Sequence, residues 1–149
     1  AEEFLHVLVL HILHDVGRSL NPAIDIGQIE GGFVQGAGWL TTEELVWDDA
    51  GRLRTHAPST YKIPACADRP AIFNVALVED GENIEDTIHK SKAVGEPPLM
   101  LAISVLMAQS HALESVGGGY PMLDAPATPG RLCLAARRLG GPGIQLGGA

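Results

Sequence analysis

The stretch Asn21–Leu45, NPAIDIGQIEGGFVQGAGWLTTEEL, decides the fold, because its pattern predicts one long helix over Ala23–Leu45 that nevertheless contains several glycines. Asn21-Pro22 predicts the helix start, since proline fits the first helical turn. Each glycine in a helix interior costs about 1 kcal/mol relative to alanine. Close approach of the helix backbone to another helix, a second domain or a ligand offers a reason for that cost. Two short helices joined by a loop are the alternative. The glycines concerned are Gly27, Gly31, Gly32, Gly36 and Gly38.

The segments around this helix predict few strands. Phe4–Val16 is apolar at both sets of alternating positions, which is typical of a strand buried on both faces. Ala71–Glu79 predicts a second strand whose larger apolar residues share one face. Between them, Asp48–Gly51 predicts the loop of a hairpin. The segment His56–Pro70 contains three prolines and predicts a long irregular loop.

Two further helices are predicted toward the C-terminus. Leu99–Val116 is apolar almost all round, so we expect its first half to be central. Thr128-Pro129 predicts the start of the last helix, with threonine as the N-cap and proline as the first helical residue. Few strands and two or three helices, one of them buried, make an α+β fold. We expect one domain over residues 1–139 and a flexible, glycine-rich tail over residues 140–149.

Composition limits the functional class. The chain has 149 residues, of which 46% are hydrophobic and 19% are charged, which excludes a charge-driven disordered chain. Its net charge of −8 argues against nonspecific binding to nucleic acid or to anionic membranes. No apolar run approaches the ~18 residues that span a bilayer, so we expect a cytoplasmic protein. Cys66 and Cys133 are too few for a disulfide scaffold or a cysteine-rich metal site. We expect structural roles for His6, His11, His14 and the acidic pair Asp48-Asp49.

The segment Ser91–Met100, SKAVGEPPLM, contains the residues best suited to chemistry. Proline restricts the residue before it to extended conformations, so Glu96 is expected to be extended, with Pro98 as the first helical residue. The carboxylate then projects from a rigid turn at the start of an apolar helix. Burial raises the pKa of a glutamate, whereas a helix N-terminus favours its anion. From the residues alone, Glu96 is either a general base or a capping or salt-bridged glutamate.

Four separated motifs follow one another in order, namely DVGRSLNPAIDIGQIEGGFVQGAGWLTTEEL (Asp15–Leu45), PSTYKIPA (Pro58–Ala65), SKAVGEPPL (Ser91–Leu99) and LDAPATP (Leu123–Pro129). Together they resemble the C-terminal part of the molybdenum-binding domain of the molybdenum hydroxylase family, in its xanthine dehydrogenase branch. The resemblance covers residues 12–139. The two prolines after the glutamate are similar to that branch, whereas the aldehyde oxidases of the family usually have G-x-G-E-S-G.

The resemblance implies roles for two residues. Glu96 matches the catalytic base of the family, which activates a molybdenum-bound hydroxyl for attack on an electron-poor carbon of a purine. Gln28 matches the glutamine that approaches the molybdenum cofactor, molybdopterin. Gln35 is a second candidate by residue type, which we expect to be structural. We expect Glu30 to be a buried hydrogen-bonding residue, because on a helix it points to a different side from Gln28. No residue of the chain is expected to ligate the metal.

The resemblance also implies that the chain works as part of a larger, oligomeric enzyme. The [2Fe–2S] clusters and FAD are expected on partner domains or subunits, since two cysteines cannot supply the four thiolates of a cluster. The rest of the molybdenum domain is expected to cover many apolar residues of this chain. The implied reaction is the oxidation of xanthine or hypoxanthine in purine catabolism. The alternatives are an aldehyde-oxidising family member and a noncatalytic truncated module that packs into a larger assembly.

Overall fold

A computed structural model of the chain describes residues 8–117 and 119–140. Its helices and strands form the α+β mixture that the sequence predicts: β1 Val9–His14, α1 Pro22–Thr41, β2 Ile72–Leu77, α2 Pro97–Leu101, α3 Ile103–Glu114 and α4 Pro129–Arg138. They fall into two compact units. We call the described residues 8–37 and 64–102 the strand unit, and the described residues 38–63 and 103–140 the helical unit. The start of the predicted Phe4–Val16 strand and the tail after Gly140 lie outside the described residues, and the domain boundary at residue 139 stays a prediction.

β1 and β2 form the parallel sheet of the strand unit, with Val9 opposite Ile72 at the start of the register. One face of this sheet is covered by α1. Ile12 is buried on that face, and the rings of Phe33 and Phe73 meet at a centroid distance of 5.8 Å. The alternation predicted for the second strand is therefore confirmed, since the inward residues of β2 are its less exposed ones.

The opposite face of the sheet is exposed. Val9, Leu13 and Ile72 all point to this face and keep much of their surface accessible to solvent. The prediction that the first strand is buried on both faces is wrong for this reason. Parallel strands need a covering layer on each face, and within the described chain only one layer packs on this sheet.

α1 is a single helix of 20 residues, so the alternative of two short helices is wrong. It starts at Pro22 as predicted, and the Asp25 N–H donates to the Asn21 carbonyl at 3.0 Å. It ends at Thr41 rather than at Leu45. The N–H groups of Thr42 and Glu43 both donate to the Gly38 carbonyl, which closes the last turn and stops the helix.

The predicted helix Leu99–Val116 is interrupted at Ala102, where α2 ends and α3 begins. The Ala102 N–H donates to the carbonyls of Leu99 and Met100, a tightened last turn that helix ends often adopt. Ala102 itself is buried, but Met100, Ile103 and Met107 are each about half exposed. The expectation of a central first half is therefore wrong, because within the described chain only one side of this region has a neighbour.

The helical unit has its own small core between α3 and α4. Thr128 and Pro129 begin α4 as predicted, and the Ala127 N–H donates to the Leu40 carbonyl at 2.7 Å. Arg131 and Glu44 form an ion pair at 2.8 Å. The core residues are Leu113, Ala127, Leu132, Ala135 and Ala136. No helix in the described ranges combines the length and apolar character needed to cross a membrane.

The predicted hairpin at Asp48–Gly51 is only a turn with one antiparallel bridge, which joins Trp47 and Leu53. The Asp48 carboxylate accepts hydrogen bonds from the Ala50 and Arg52 N–H groups and from Arg52 Nε. Its oxygens are thus used to shape the turn, which is the structural role expected of this acidic pair. Residues 8–117 and 119–140 contain no group of three His, Cys, Asp or Glu side chains placed to hold a metal ion.

Candidate functional site

One face of α1 carries Gln28, Gly32 and Gly36, which are four residues apart and therefore lie above one another on the helix. This face packs against the segment that carries Glu96. A Cβ on Gly32 would lie 3.1 Å from Pro98 Cβ. A Cβ on Gly36 would overlap the Leu99 carbonyl oxygen and lie 2.7 Å from Ala102 Cβ. The predicted close approach of the helix backbone is confirmed at these two positions.

Gly27 and Gly31 behave differently from the other two. A Cβ on either residue would meet nothing within 4 Å in the described chain. They lie to one side of the contact face, because each comes one residue before a member of it, a rotation of about 100° around the helix. The close approach that explains Gly32 and Gly36 therefore does not explain all the glycines of the helix.

Gln28 lies next to the residue that precedes Glu96. Its side chain is exposed, and its Oε1 would be 3.6 Å from a Cβ on Gly95, an ordinary contact distance. The structure thus brings together the two residues for which the sequence predicts site roles, although 68 positions separate them in the chain. The Gln28 amide thus lies beside the glycine backbone that leads into Glu96 and α2.

Glu96 occupies the N-cap position of α2, with φ −92° and ψ −41°. It is right-handed helical rather than extended, and Pro97 rather than Pro98 is the first helical residue, so both of these expectations are wrong. The Leu99 N–H donates to the Glu96 carbonyl at 3.0 Å, which closes the first turn of α2 over Pro97 and Pro98. The preference of a residue before proline for extended backbone is therefore overridden at Glu96 in the folded chain.

The Glu96 carboxylate is free within the described chain. It makes no capping hydrogen bond to α2, and none of the ion pairs among the described residues includes it. The residue is exposed to solvent. Neither the capping nor the salt-bridged alternative describes this side chain, because its oxygens have no donor here.

The other two polar candidates of α1 lie away from this site. Gln35 is exposed, and the role expected for it remains a prediction. Glu30 is half-buried, and its carboxylate has no hydrogen-bond partner in the described ranges. The expectation of a buried, hydrogen-bonded Glu30 is therefore wrong. Glu30 lies two positions after Gln28, so its side chain points to a different side of the helix. On that side the described chain offers the carboxylate no hydrogen-bond donor.

Sequence reasoning missed Asp15 and Lys92, which form an ion pair at 2.5 Å between Asp15 Oδ2 and Lys92 Nζ. The other oxygen of Asp15 accepts the Gly17 N–H at 2.8 Å. The hydrogen bond from Lys92 and then that from Gly17 lower the pKa of the Asp15 carboxyl, because both favour its anion. Both residues lie in the quoted motifs, but no local signal predicts a pair 77 positions apart.

The motif at Pro58–Ala65 contributes to the helical unit through Tyr61. The phenol donates to Glu43 Oε2 at 2.5 Å, and Glu43 is only 8% exposed. This hydrogen bond to the carboxylate, together with burial, raises the pKa of Tyr61, since both disfavour the phenolate. The stabilising effect is present below the ordinary tyrosine pKa near 10 and is lost as the pH rises through the raised value.

We expect Tyr61→Phe to destabilise the protein by about 1–3 kcal/mol, because it leaves a buried carboxylate without its donor. Thermal unfolding at neutral pH measures the effect. The matched control is Tyr120→Phe, since Tyr120 is 56% exposed and has no hydrogen-bond partner in the described ranges. Equal melting temperatures for the two variants would show that the Tyr61–Glu43 hydrogen bond contributes nothing.

Comparisons with known proteins agree with the motifs. The family model described as the molybdopterin cofactor-binding domain matches residues 3–70. A xanthine dehydrogenase/oxidase from Gallus gallus is 53% identical over 126 residues, which are 81% of this chain and 9% of that protein. A nicotinate hydroxylase from Emericella nidulans is 48% identical over 134 residues, 87% of this chain and 9% of that protein.

The solved structure of quinoline 2-oxidoreductase from Pseudomonas putida 86 has a similar fold. Its TM-score is 0.73 at 26% sequence identity, and the match covers 90% of this chain and 16% of that one. The chain thus spans about a tenth of the length of the curated relatives that it matches.

Proposed function

This chain belongs to the xanthine dehydrogenase family of molybdenum hydroxylases, as a segment of the molybdopterin-binding domain, and we propose that it supplies part of the active site of such an enzyme. In this proposal Glu96 is the general base and Gln28 binds the cofactor. The observation that carries it is the approach of Gln28 Oε1 to within 3.6 Å of where a Cβ on Gly95, the residue before Glu96, would lie. Two residues from separate family motifs lie side by side only because α1 packs on the start of α2.

The residues at this site fit part of a molybdopterin cofactor site. The exposed amide of Gln28 offers both donors and an acceptor, and Gly95 leaves its backbone uncovered beside it. Polar groups of a pterin need such partners. Gln28 would hold the cofactor, and Gly95 would let it approach the backbone.

When bound, the cofactor supplies Lewis acidity and accepts the electrons of the oxidation. Glu96 takes up a proton on its carboxylate, which is free to do so because no residue of the described chain bonds to it. Pro97 and Pro98 hold the carboxylate in place, since their fixed φ angles stiffen the turn. The Gln28 amide would orient the cofactor by hydrogen bonds to polar groups of the pterin. General acid–base catalysis of this kind contributes about 10²–10⁴-fold to the rate.

The substrate class that we propose is an electron-poor nitrogen heterocycle, with xanthine or hypoxanthine as the first choice. The names of the relatives support this class, since they include xanthine dehydrogenases and a nicotinate hydroxylase at about the same identity. Purines and nicotinate share ring carbons that nitrogen makes electron-poor. An aldehyde substrate is the alternative within the family.

The proposed partners are the rest of the molybdenum domain and domains or subunits that carry [2Fe–2S] clusters and FAD, in an oligomeric cytoplasmic enzyme. The exposed apolar residues support the first partner. In the strand unit they include Leu13 and Ile72 on the open sheet face, and in the helical unit Ile103 and Met107 on α3. Apolar patches of this kind usually mark surfaces that another part of a protein covers.

The experiment that tests the function is anaerobic reduction of the purified, molybdenum-loaded enzyme that contains this segment. We expect xanthine or hypoxanthine to bleach its iron–sulfur and flavin absorbance, whereas an aldehyde leaves the absorbance unchanged. If nicotinate alone bleached the absorbance, the proposed substrate class of nitrogen heterocycles would stand, and nicotinate would replace xanthine or hypoxanthine as the proposed substrate. Failure of every heterocycle to reduce a fully loaded enzyme would contradict the proposal.

Gln28→Ala tests the cofactor contact. We expect the affinity for the molybdenum cofactor to fall by about 10–100-fold, because partners of this kind orient a bound group. Less molybdenum should then be retained after gel filtration. Metal analysis measures the retained molybdenum. Gln35→Ala is the matched control, since Gln35 is an exposed glutamine on the same helix, about two turns beyond Gln28. Wild-type molybdenum content in Gln28→Ala would remove the proposed role of this residue.

A further inference from the structure

The place of Glu96 depends on two anchors in the chain. On its C-terminal side, Pro97 and Pro98 begin α2, and Pro98 packs against Gly32 of α1. On its N-terminal side, residues 93–95 take part in no backbone hydrogen bond within the described chain. The nearest residue upstream of Glu96 with a backbone hydrogen bond is therefore Lys92. Residues 93–95 connect it directly to Glu96, so the position of Lys92 affects the position of the carboxylate.

Lys92 is held by the turn that follows β1. Its N–H donates to the Val16 carbonyl at 2.8 Å, and the Arg18 N–H donates to the Lys90 carbonyl at 3.1 Å. Gly17 has φ +62°, and a Cβ there would overlap the Lys90 carbonyl oxygen. The turn and the Lys90–Lys92 segment thus lie backbone to backbone. Any side chain at position 17 would push them apart.

Asp15 connects this turn to Lys92 through its side chain. One carboxylate oxygen accepts the Gly17 N–H at 2.8 Å, and the other accepts Lys92 Nζ at 2.5 Å. A single carboxylate therefore shapes the turn and fixes the loop residue that lies four positions before Glu96. Asp15 directly follows β1, so the anchor is tied to the sheet of the strand unit.

We propose that Asp15 and Lys92 are a positioning pair that sets the place of Glu96 for proton transfer, an inference that rests on the proposed function of Glu96. The exposure of the pair distinguishes this role from a purely structural one. The side chains of Lys92 and Asp15 are 32% and 45% exposed, and ion pairs between side chains this exposed to solvent contribute little to the free energy of unfolding. A displacement of about 1 Å at a catalytic group, by contrast, can slow turnover by roughly 10²-fold. Loss of the pair should therefore be visible in catalysis before it is visible in stability.

The same turn offers a matched control in the ion pair between Arg18 and Glu82. It is also exposed, at 61% and 54% of the two side chains, but it does not reach the loop that leads to Glu96. Removing it with Glu82→Gln changes the charge of this region by the same amount as Asp15→Asn. The two variants differ in whether the lost partner holds Lys92.

The test uses the molybdenum-loaded enzyme with Asp15→Asn, Lys92→Gln, Lys92→Arg and Glu82→Gln. We expect Asp15→Asn and Lys92→Gln to lower kcat by roughly 10–100-fold. Their KM, molybdenum content and melting temperature should stay near the wild-type values. Lys92→Arg should recover most of the activity, because it keeps the cation, and Glu82→Gln should behave as wild type. Hydrogen exchange at the Lys92 amide, which donates to the Val16 carbonyl, should speed up by about tenfold in Asp15→Asn, because the segment loses its side-chain anchor.

A double variant distinguishes failure of this inference from failure of the proposed function. In the Glu96→Gln background, Asp15→Asn should lower kcat no further, since there is then no base to position. Wild-type turnover in Glu96→Gln itself would overturn the proposed function. A slow Glu96→Gln enzyme with wild-type turnover in Asp15→Asn would overturn the positioning pair alone. Equal losses from Asp15→Asn in both backgrounds, or losses explained by reduced molybdenum content, would overturn it as well.

Discussion

Glu96→Gln is expected to lower the kcat of the molybdenum-loaded enzyme by roughly 10²–10⁴-fold, the range typical of a general base. Glutamine has nearly the same shape as glutamate but takes up no proton at neutral pH. The fold should not change, because the Glu96 side chain makes no capping hydrogen bond to α2. Substrate binding should be nearly unchanged, so the loss should appear in kcat rather than in KM. Rapid-mixing measurement of reduction by substrate, under anaerobic conditions, isolates the step.

The control for this variant is Glu114→Gln. Glu114 is an exposed glutamate at the end of α3, in the helical unit, and no role is proposed for it. It should show wild-type kinetics at equal molybdenum content. A Glu96→Gln enzyme that turns over within about threefold of wild type would be too active for the loss of a general base. Another group would then have to be the general base.

Gly36→Ala is expected to destabilise the protein by about 1–3 kcal/mol or more, the usual range for overpacking a closed contact. The added methyl group would overlap the Leu99 carbonyl oxygen, which is backbone and cannot rotate away. α1 and α2 would have to separate. Since this contact also holds Gln28 beside Gly95, we expect molybdenum retention to fall together with the melting temperature. Thermal unfolding and metal analysis on the same preparation measure both effects.

Gly31→Ala is the matched control, because it makes the same substitution on the same helix at a position with open space around it. We expect it to be neutral or stabilising by up to about 1 kcal/mol, as alanine is the better helix former. The changes in the free energy of unfolding should thus have opposite signs in the two variants, which separates the effect of helix propensity from the effect of packing. A loss of stability in Gly31→Ala as large as that in Gly36→Ala would contradict the assignment of the close contact to one face of α1.

Local sequence signals predicted much of the secondary structure. Pro22 and Pro129 start α1 and α4 at the expected residues, because a fixed φ and a missing N–H suit the first helical turn wherever it occurs. The period-two pattern of β2 correctly predicted its inward face. The four motifs also pointed to the family, and the roles that they imply for Gln28 and Glu96 stay predictions. The correct helix starts and strand face depend on residues close together in the chain, whose preferences do not require a partner.

Only the tertiary structure decided the features that depend on distant neighbours. The sequence offers five glycines in α1 with equal claims, and the packing of α2 shows that Gly32 and Gly36 make close contact whereas Gly27 and Gly31 do not. The folded chain also interrupts the apolar segment at Ala102 and leaves Glu96 helical and exposed. The pairing of Asp15 with Lys92 likewise arises only when β1 and the loop before α2 meet. Such contacts join residues dozens of positions apart, and no local preference of backbone or side chain encodes them.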